Sequence, residues 1–169
     1  TRFGRDKLRE PWPRGQDRTW LVDRPIAALR EVCGARVWVV GDCDAAVAVR
    51  GDRHVADRFP GIGPLGGIVT AIDEARGDVV VLSGDLPEVT AEVVRVLVRA
   101  AREHVGACVI AGSEGRIEPL VAVYRAGVVG VMREAIARGE EAMRDSHLHE
   151  MQRAVAEKGL DAVRDSLDG

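Results

Sequence analysis

The apolar positions of the chain form short continuous runs instead of an alternating pattern. The clearest runs, rich in valine, cover residues 37–40, 79–82, 107–110 and 120–123, and a shorter and more polar one covers 54–56. Continuous β-branched runs of this length are typical of strands buried on both faces, as in a mainly parallel sheet. We therefore expect these segments to be the strands of one sheet.

Helical patterns separate the runs. After Pro87, Thr90 is placed to cap a helix whose apolar stripe is Val93, Val94, Leu97, Val98 and Ala101, with Arg95, Arg99, Arg102 and Glu103 facing water. Further helices are predicted at 20–32, 67–74, 128–138 and 141–157. Strands alternating with helices predict an α/β fold, a three-layer sandwich with a mostly parallel, Rossmann-like sheet and helices on both faces.

Length and composition narrow the class of protein. The 169 residues suit a single domain over 1–169, and a hydrophobic fraction of 46% can form a core. The formal net charge of −3, with both signs mixed, argues against a nucleic-acid partner. No apolar stretch is long enough for a membrane span, and three widely spaced cysteines, Cys33, Cys43 and Cys108, are typical of free thiols. We expect a cytoplasmic protein that binds neither nucleic acid nor membrane.

Candidate chemistry lies where strands end, because ligands of open α/β sheets bind outside the carboxyl ends of the strands. Asp85 follows the run 79–82 and is the best candidate for a metal ligand, since Mg²⁺ takes one or two carboxylates plus substrate phosphates. Lys7 could neutralise phosphates, and Asp57 could accept a hydrogen bond from a base or a sugar. Each has an ordinary alternative: a turn or capping aspartate for Asp85 and Asp57, and a solvated lysine for Lys7.

A glycine pattern suggests a different ligand. Gly61, Gly63 and Gly66 match the dinucleotide fingerprint GxGxxG, and Asp85 follows Gly66 by 19 positions. The match is weak, because the preceding strand is short and polar and Pro64 lies where pyrophosphate should meet free N–H groups. An NAD(P) domain therefore stays a minor alternative. The histidines form no metal-ligand set, and Ser83 and Ser113 lack a nucleophile-elbow pattern.

Four segments together resemble the molybdenum cofactor guanylyltransferases, the MobA family of nucleotidyltransferase-fold enzymes. They are RFGRDK at 2–7, GPLGGI at 63–68, GDLP at 84–87 and EPLVAVYR at 118–125, in the family's order and at about its spacings. Each segment alone is moderately specific, while the ordered set covers roughly residues 1–140. The GPL block following an aspartate favours the guanylyl branch over the related cytidylyl enzymes.

The resemblance implies transfer of GMP from GTP to the terminal phosphate of molybdopterin, with release of pyrophosphate. It implies that Lys7 contacts the GTP phosphates and that Asp85 holds Mg²⁺ beside them. Nucleotide-pocket residues carried over from the family are Asp57, Gly63, Pro64, Leu65 and Gly66. Gly41 stands where relatives often have Asn, so a contact there would be made by backbone only. A molybdoenzyme or another protein of cofactor biosynthesis is the expected protein partner.

The chain departs from the family pattern in three ways. The family has a strand and a Leu-Ala-Gly-Gly loop directly before the first segment and an Asn-Thr-Pro segment near its end, and Glu118 replaces the usual Gln or His. We expect the sequence to be incomplete at both ends. Two alternatives stay open: a non-catalytic homologue that binds nucleotide or presents molybdenum cofactor, and a molybdopterin cytidylyltransferase.

Overall fold

The computed structural model describes residues 6–12, 19–34, 36–113 and 116–137. The described residues form two compact units, one from residues up to Asp57 together with Leu82–Val96, the other from Arg58–Val81 together with residues from Leu97 onward. The predicted helix at 141–157 and residues 2–5 of the first family segment lie outside the described residues. Within the described residues, no helix is long and apolar enough to cross a bilayer.

The helices and strands alternate along the chain. The helices are α1 Asp23–Cys33, α2 Ala45–Ala48, α3 Pro64–Ala75, α4 Ala91–Glu103 and α5 Val129–Ala137, with 3₁₀ turns at Lys7–Arg9 and Ala126–Val128. The strands are β1 Trp38–Val40, β2 Arg53–Val55, β3 Val79–Leu82, β4 Cys108–Ser113 and β5 Arg116–Tyr124. The α/β class and all five predicted strand regions are confirmed.

The first unit is built around a parallel strand pair. β1 and β2 are in register from Trp38 opposite Arg53 to Val40 opposite Val55. A small core packs α1 and α2 against β1, with Val22, Ile26, Val37 and Val47 buried. The two strands end side by side, so the loops that follow them leave from the same edge.

The second unit contains a sheet in the order β3-β5-β4. β4 and β5 pair antiparallel, and their register shifts between Ile110 and Ala111, which marks a bulge in β5. The buried Tyr124 hydroxyl donates to the Pro119 carbonyl at 2.8 Å within this irregular stretch. The core consists of α3 and α5 residues packed with β5: Leu65, Ile68, Val69, Ile72, Ala122, Tyr124, Val128, Met132 and Ala135.

The strand directions correct part of the sequence interpretation. The runs 107–110 and 120–123 were expected in a mostly parallel sheet, but they form the antiparallel pair β4–β5. Both strands are largely apolar on consecutive positions, and this pattern indicates burial on two faces without indicating direction. β1 and β2 form a two-stranded parallel sheet, so the three-layer, mostly parallel arrangement stays a prediction.

Helix α4 matches its predicted pattern except at one position. Val94, Leu97 and Ala101 are buried, and the four charged residues expected to face water are exposed. Val93, which we expected in the buried stripe, is 37% exposed. Helix α3 begins at Pro64, three residues before its predicted start, because proline suits the first turn of a helix.

Candidate active site

Asp85 lies in the loop that follows β3. Ser83 is the first residue after the strand, and its hydroxyl donates a hydrogen bond to Asp85 Oδ1 at 2.6 Å. The loop is closed by the Leu86 N–H, which donates to the Ser83 carbonyl at 3.4 Å, and by a further turn that ends at Val89. The carboxylate is thus held at the end of a strand while 38% of its side chain stays exposed.

Lys7 faces this carboxylate. Its Nζ lies 3.0 Å from Asp85 Oδ2, and 61% of the lysine side chain is exposed. The pKa of Asp85 is lowered, first by the Ser83 hydrogen bond and then by Lys7, and the pKa of Lys7 is raised by its hydrogen bond to Asp85. Both groups are therefore charged at neutral pH. The site presents an anchored anion and an adjacent exposed cation to solvent.

A hydrogen-bond network holds the 3₁₀ turn that carries Lys7. Asp6 precedes the turn; its Oδ1 accepts from the Leu8 N–H at 3.0 Å, and its Oδ2 accepts from the Asp44 N–H at 2.9 Å. Arg9, at the end of the turn, donates to Asp44 Oδ2 at 2.7 Å. Asp44 in turn caps α2 through the Ala46 N–H. The turn is thereby fixed to the loop that follows β1.

Leu8 brings the same turn against the Asp85 loop. A Cβ placed on Gly84 would lie 3.0 Å from Leu8 Cδ2 and 3.5 Å from Val22 Cγ2. Any side chain at position 84 would therefore push against Leu8, the neighbour of Lys7. The glycine of the GDLP segment allows the two loops to approach closely.

Gly41 and Asp57 lie after the two parallel strands. Gly41 has a φ of +100°, its N–H donates to the Val55 carbonyl at 2.9 Å, and its own carbonyl lies 2.9 Å from His54 Nε2. Both backbone groups of Gly41 therefore already have partners within this unit. Asp57 is half-buried two residues after β2.

The residues Gly63–Gly66 belong to the second unit and form the start of α3. Gly63 occupies the N-cap position with a φ of +77°, Pro64 is the first helical residue, and the Gly66 N–H donates to the Gly63 carbonyl at 3.0 Å. Leu65 has no exposed surface, so neither its side chain nor its backbone is open to a ligand in this structure. The GxGxxG match is accounted for by this helix start.

The donor set around Asp85 fits one divalent cation shared with a phosphate ligand. No group of three or more His, Cys, Asp or Glu side chains occurs in the part of the chain that the structure describes, so a site made by protein ligands alone is not present there. Mg²⁺ is commonly held by one or two carboxylates plus substrate phosphates and water. Ser83 and Lys7 use one lone pair on each Asp85 oxygen, and a carboxylate offers about four.

A cleft of about 490 Å³ opens beside the ion pair. Lys7 and Asp85 line it together with residues that sequence reasoning did not select: Glu10, Pro11, Trp12, Leu21, Leu86, Pro87, Glu88, Val89 and Val93. Its walls are mostly apolar. Val93 was expected in the buried stripe of α4, but it lines this cleft and is 37% exposed. This mismatch between an apolar residue and its exposure is the signal that identifies the cleft.

A carboxylate anchored directly after strand β3, with the Lys7 ammonium group beside it, suits a ligand that carries phosphates and a divalent cation. The chain belongs to the family of the MobA-like NTP transferase domain, whose family model matches residues 1–157. The resemblance inferred from the four segments is thereby confirmed, and with it the enzyme class, a nucleotidyltransferase of molybdenum cofactor biosynthesis.

Two curated relatives are similar over most of the chain, and both carry the name "Probable molybdenum cofactor guanylyltransferase". The protein of Opitutus terrae is 34% identical over 146 residues, which is 84% of this chain and 69% of the relative. The protein of Chloroflexus aggregans is 32% identical over 144 residues, 82% of this chain and 67% of the relative. The chain thus spans about two thirds of each.

Two solved structures share the fold. A protein of Aquifex aeolicus VF5 superposes with a TM-score of 0.63 at 25% identity, over 76% of this chain and 66% of that one. The molybdopterin-guanine dinucleotide biosynthesis protein A of Archaeoglobus fulgidus superposes with a TM-score of 0.62 at 24% identity, over 82% of this chain and 68% of that one.

Proposed function

We propose that the protein transfers GMP from GTP to the terminal phosphate of molybdopterin in a Mg²⁺-dependent reaction. The observation that carries the proposal is the ion pair between Lys7 and Asp85, which joins two of the four family segments at 3.0 Å across 78 positions of sequence. The names of the relatives from Opitutus and Chloroflexus support the guanylyl donor and the acceptor.

The reaction is an in-line displacement at the α-phosphorus of GTP. An oxygen of the acceptor phosphate forms a new bond to that phosphorus, and the bond to the oxygen bridging to the β-phosphate breaks. The electron pair leaves with pyrophosphate. A phosphate monoester is already anionic at neutral pH, so the protein needs to supply alignment and charge neutralisation, and no strong base.

Each residue of the Asp85 loop has a part in this chemistry. Asp85 would hold Mg²⁺, which when bound would neutralise charge on the phosphates, and the Ser83 hydroxyl keeps the carboxylate ionised and oriented. Lys7 would exchange its contact with Asp85 for a contact with a phosphate. This exchange costs little, because an ion pair as exposed as this one contributes little to stability.

The nucleotide itself would be bound by Gly41, Asp57, Gly63, Pro64, Leu65 and Gly66, as the family resemblance implies. Gly41 would contribute its carbonyl, which has a second lone pair beside its contact with His54, and Leu65, which has no exposed surface, would have to become accessible on binding. The proposal includes the finer fold prediction of a three-layer nucleotidyltransferase sandwich, the cytoplasmic location, and a molybdoenzyme or cofactor-biosynthesis protein as the recipient of the product.

The test compares three variants in an assay of pyrophosphate release from GTP and molybdopterin, with and without Mg²⁺. Asp85→Asn keeps the size of the side chain and removes its charge, and we expect loss of activity by about 10²-fold or more, a size typical of groups that neutralise charge in a transition state. Lys7→Met should reduce activity and weaken GTP binding. Glu103→Gln, which neutralises an exposed carboxylate at the far end of α4, is the matched control.

Unchanged Mg²⁺-dependent turnover in Asp85→Asn would reject the role of Asp85. Faster turnover of CTP than of GTP would assign the protein to the cytidylyl enzymes. Binding of GTP with no product from either nucleotide would assign it to the non-catalytic homologues.

A further inference from the structure

The 3₁₀ turn that carries Lys7 is too short to fix its own position. Its two backbone hydrogen bonds run from the Arg9 N–H to the Asp6 carbonyl at 3.1 Å and from the Glu10 N–H to the Lys7 carbonyl at 3.0 Å. A single turn fixes several backbone torsions for few hydrogen bonds, so it depends on contacts from outside. The place of the Lys7 ammonium group is therefore set by whatever holds the two ends of the turn.

Asp44 binds both ends of this turn. Its N–H donates to Asp6 Oδ2 at 2.9 Å, directly before the turn, and its Oδ2 accepts from Arg9 at 2.7 Å, where the turn ends. Its other oxygen, Oδ1, accepts from the Ala46 N–H at 2.8 Å and caps α2. Asp44 thus links the Lys7 turn to the start of α2, in the loop that follows β1.

The arginine of this pair is also held from the side. The guanidinium carbon of Arg9 lies 5.0 Å from the centroid of the Trp20 ring, within the range of a cation–π contact. Both partners of the Arg9–Asp44 pair are partly exposed, and pairs of that kind contribute little to stability. The main consequence of the pair is therefore geometric: it holds the end of the Lys7 turn against the loop that follows β1.

A second ion pair of the first unit has the same composition without the link to Lys7. Arg30 donates to Asp52 Oδ1 at 2.7 Å, and the Val37 N–H donates to Asp52 Oδ2 at 2.9 Å. The side chains of Asp44 and Asp52 are each 33% exposed. Asp52 precedes β2 and Asp44 follows β1, so the two aspartates lie at opposite ends of the parallel pair. Asp52 is therefore a matched reference for Asp44.

We propose that Asp44 is a positioning residue for the transfer reaction: through Asp6 and Arg9 it holds the turn that places the Lys7 ammonium group beside Asp85. The proposal rests on the proposed transferase function, in which Lys7 contacts a phosphate. Charge neutralisation requires the cation at a defined place, and a displacement of about 1 Å can lower a rate on the order of 10²-fold.

The first test measures turnover in the pyrophosphate-release assay. Asp44→Asn keeps Oδ1 as the acceptor that caps α2 and replaces Oδ2 by an NH₂ group, which cannot accept from Arg9. We expect kcat to fall by about tenfold in Asp44→Asn and by less than about twofold in Asp52→Asn. Arg9→Met should match Asp44→Asn, and Arg9→Lys, which keeps a charged donor, should retain most of the activity.

A double-mutant cycle separates the positioning of Lys7 from a general effect on the fold. Once Lys7→Met has removed the ammonium group, a residue that acts through Lys7 has nothing left to place. Asp44→Asn should then lower kcat further by less than about twofold. Thermal unfolding of the variants should show similar changes of Tm in Asp44→Asn and Asp52→Asn, since the two ion pairs match in length and exposure.

The surroundings of Lys7 can also be measured without turnover. The chain has two lysines, Lys7 and Lys158, so protein labelled with ¹³C at the lysine Cε gives two NMR signals, and Lys7→Met assigns them. At neutral pH the Lys7 signal in Asp44→Asn should move toward its position in Asp85→Ala, in which the contact with residue 85 is removed. The same signal should stay unchanged in Asp52→Asn.

Three results would overturn the proposal: an unmoved Lys7 signal in Asp44→Asn, equal losses of kcat in Asp44→Asn and Asp52→Asn, or a full further loss when Asp44→Asn is added to Lys7→Met. Failure of the transferase function is a different result, the absence of product in the unaltered protein. It would remove the catalytic role of Asp44, while the Lys7 signal would still show whether Asp44 holds the turn.

Discussion

Two donors of different kinds control the charge state of Asp85. The Ser83 hydroxyl binds one oxygen at 2.6 Å and Lys7 binds the other at 3.0 Å, and both stabilise the carboxylate form, which lowers the pKa of Asp85. The Ser83 hydrogen bond is the largest single cause of the lowered pKa. If Lys7 exchanges its contact with Asp85 for a phosphate, as proposed above, Ser83 is the donor that would keep Asp85 ionised and oriented when a substrate is bound.

Removal of the Ser83 hydroxyl should therefore change the pH dependence of metal-assisted binding. In Ser83→Ala the pKa of Asp85 moves back up toward its usual value, so protonation begins at a higher pH. We expect the acidic limb of Mg²⁺-dependent GTP affinity to shift to higher pH, with little change on the alkaline side. Calorimetric titrations across the acidic range measure this shift.

Ser83→Thr is the matched variant, because it keeps the hydroxyl on a β-branched side chain. It should restore the acidic limb to that of the unaltered protein. An acidic limb that is the same in Ser83→Ala and in the unaltered protein would show that Ser83 does not influence the ionisation of Asp85 in the complex.

The sequence was informative about these residues only through motifs. Lys7 and Asp85 are 78 positions apart, and no local pattern predicts their contact; the ordered family segments suggested it. Ser83 was examined as a nucleophile and set aside, and its role as a hydrogen-bond donor to a carboxylate two residues later has no sequence signature. The cleft residues Trp12 and Glu88 were missed, because a cleft depends on how loops pack.

At the level of secondary structure, the prediction succeeded where apolar runs were continuous. The strand Val79–Leu82 was predicted to the residue. The short helix Ala45–Ala48 and the 3₁₀ turn Lys7–Arg9 were missed, since elements of three or four residues are shorter than one period of a helical pattern. The antiparallel pairing of β4 with β5 was not predicted either, because residue burial does not encode strand direction.

The start of helix α3 offers a test of whether position 63, its N-cap, requires glycine. Gly63 has a φ of +77° and a ψ of −153°, a region that is essentially restricted to glycine. Gly63→Ala should therefore lower the free energy of unfolding by about 1–3 kcal/mol. Urea unfolding followed by circular dichroism measures the change.

Gly67, one turn later in the same helix, is the matched control. It has helical backbone angles, and a Cβ placed there would meet no atom within 4 Å. Gly67→Ala should raise the free energy of unfolding by about 0.5–1 kcal/mol, because alanine loses less conformational entropy than glycine in a helix. Equal effects of the two substitutions would contradict the assignment of a glycine-specific conformation to position 63.

For the molecule as a whole, the sequence predicted one domain. The described residues form two compact units, and each unit has its own core. The chain passes from one unit to the other within secondary-structure elements. β3 runs from Val79 in the second unit to Leu82 in the first, and α4 supplies Val94 to the first and Leu97 to the second. The end of β3 and the two halves of α4 therefore connect the units along the chain.

Such sharing of elements should make unfolding a single cooperative transition. The three tryptophans of the chain, Trp12, Trp20 and Trp38, all belong to the first unit, so their fluorescence reports on it. Cys108 in β4 reports on the second, because burial raises the pKa of its thiol to about 11 and keeps the reactive thiolate scarce until the strand opens. In a Cys33→Ser, Cys43→Ser background, pulsed thiol labelling and fluorescence should give the same midpoint in urea. Two separated midpoints would show that the units unfold independently, in spite of the strand and the helix that they share.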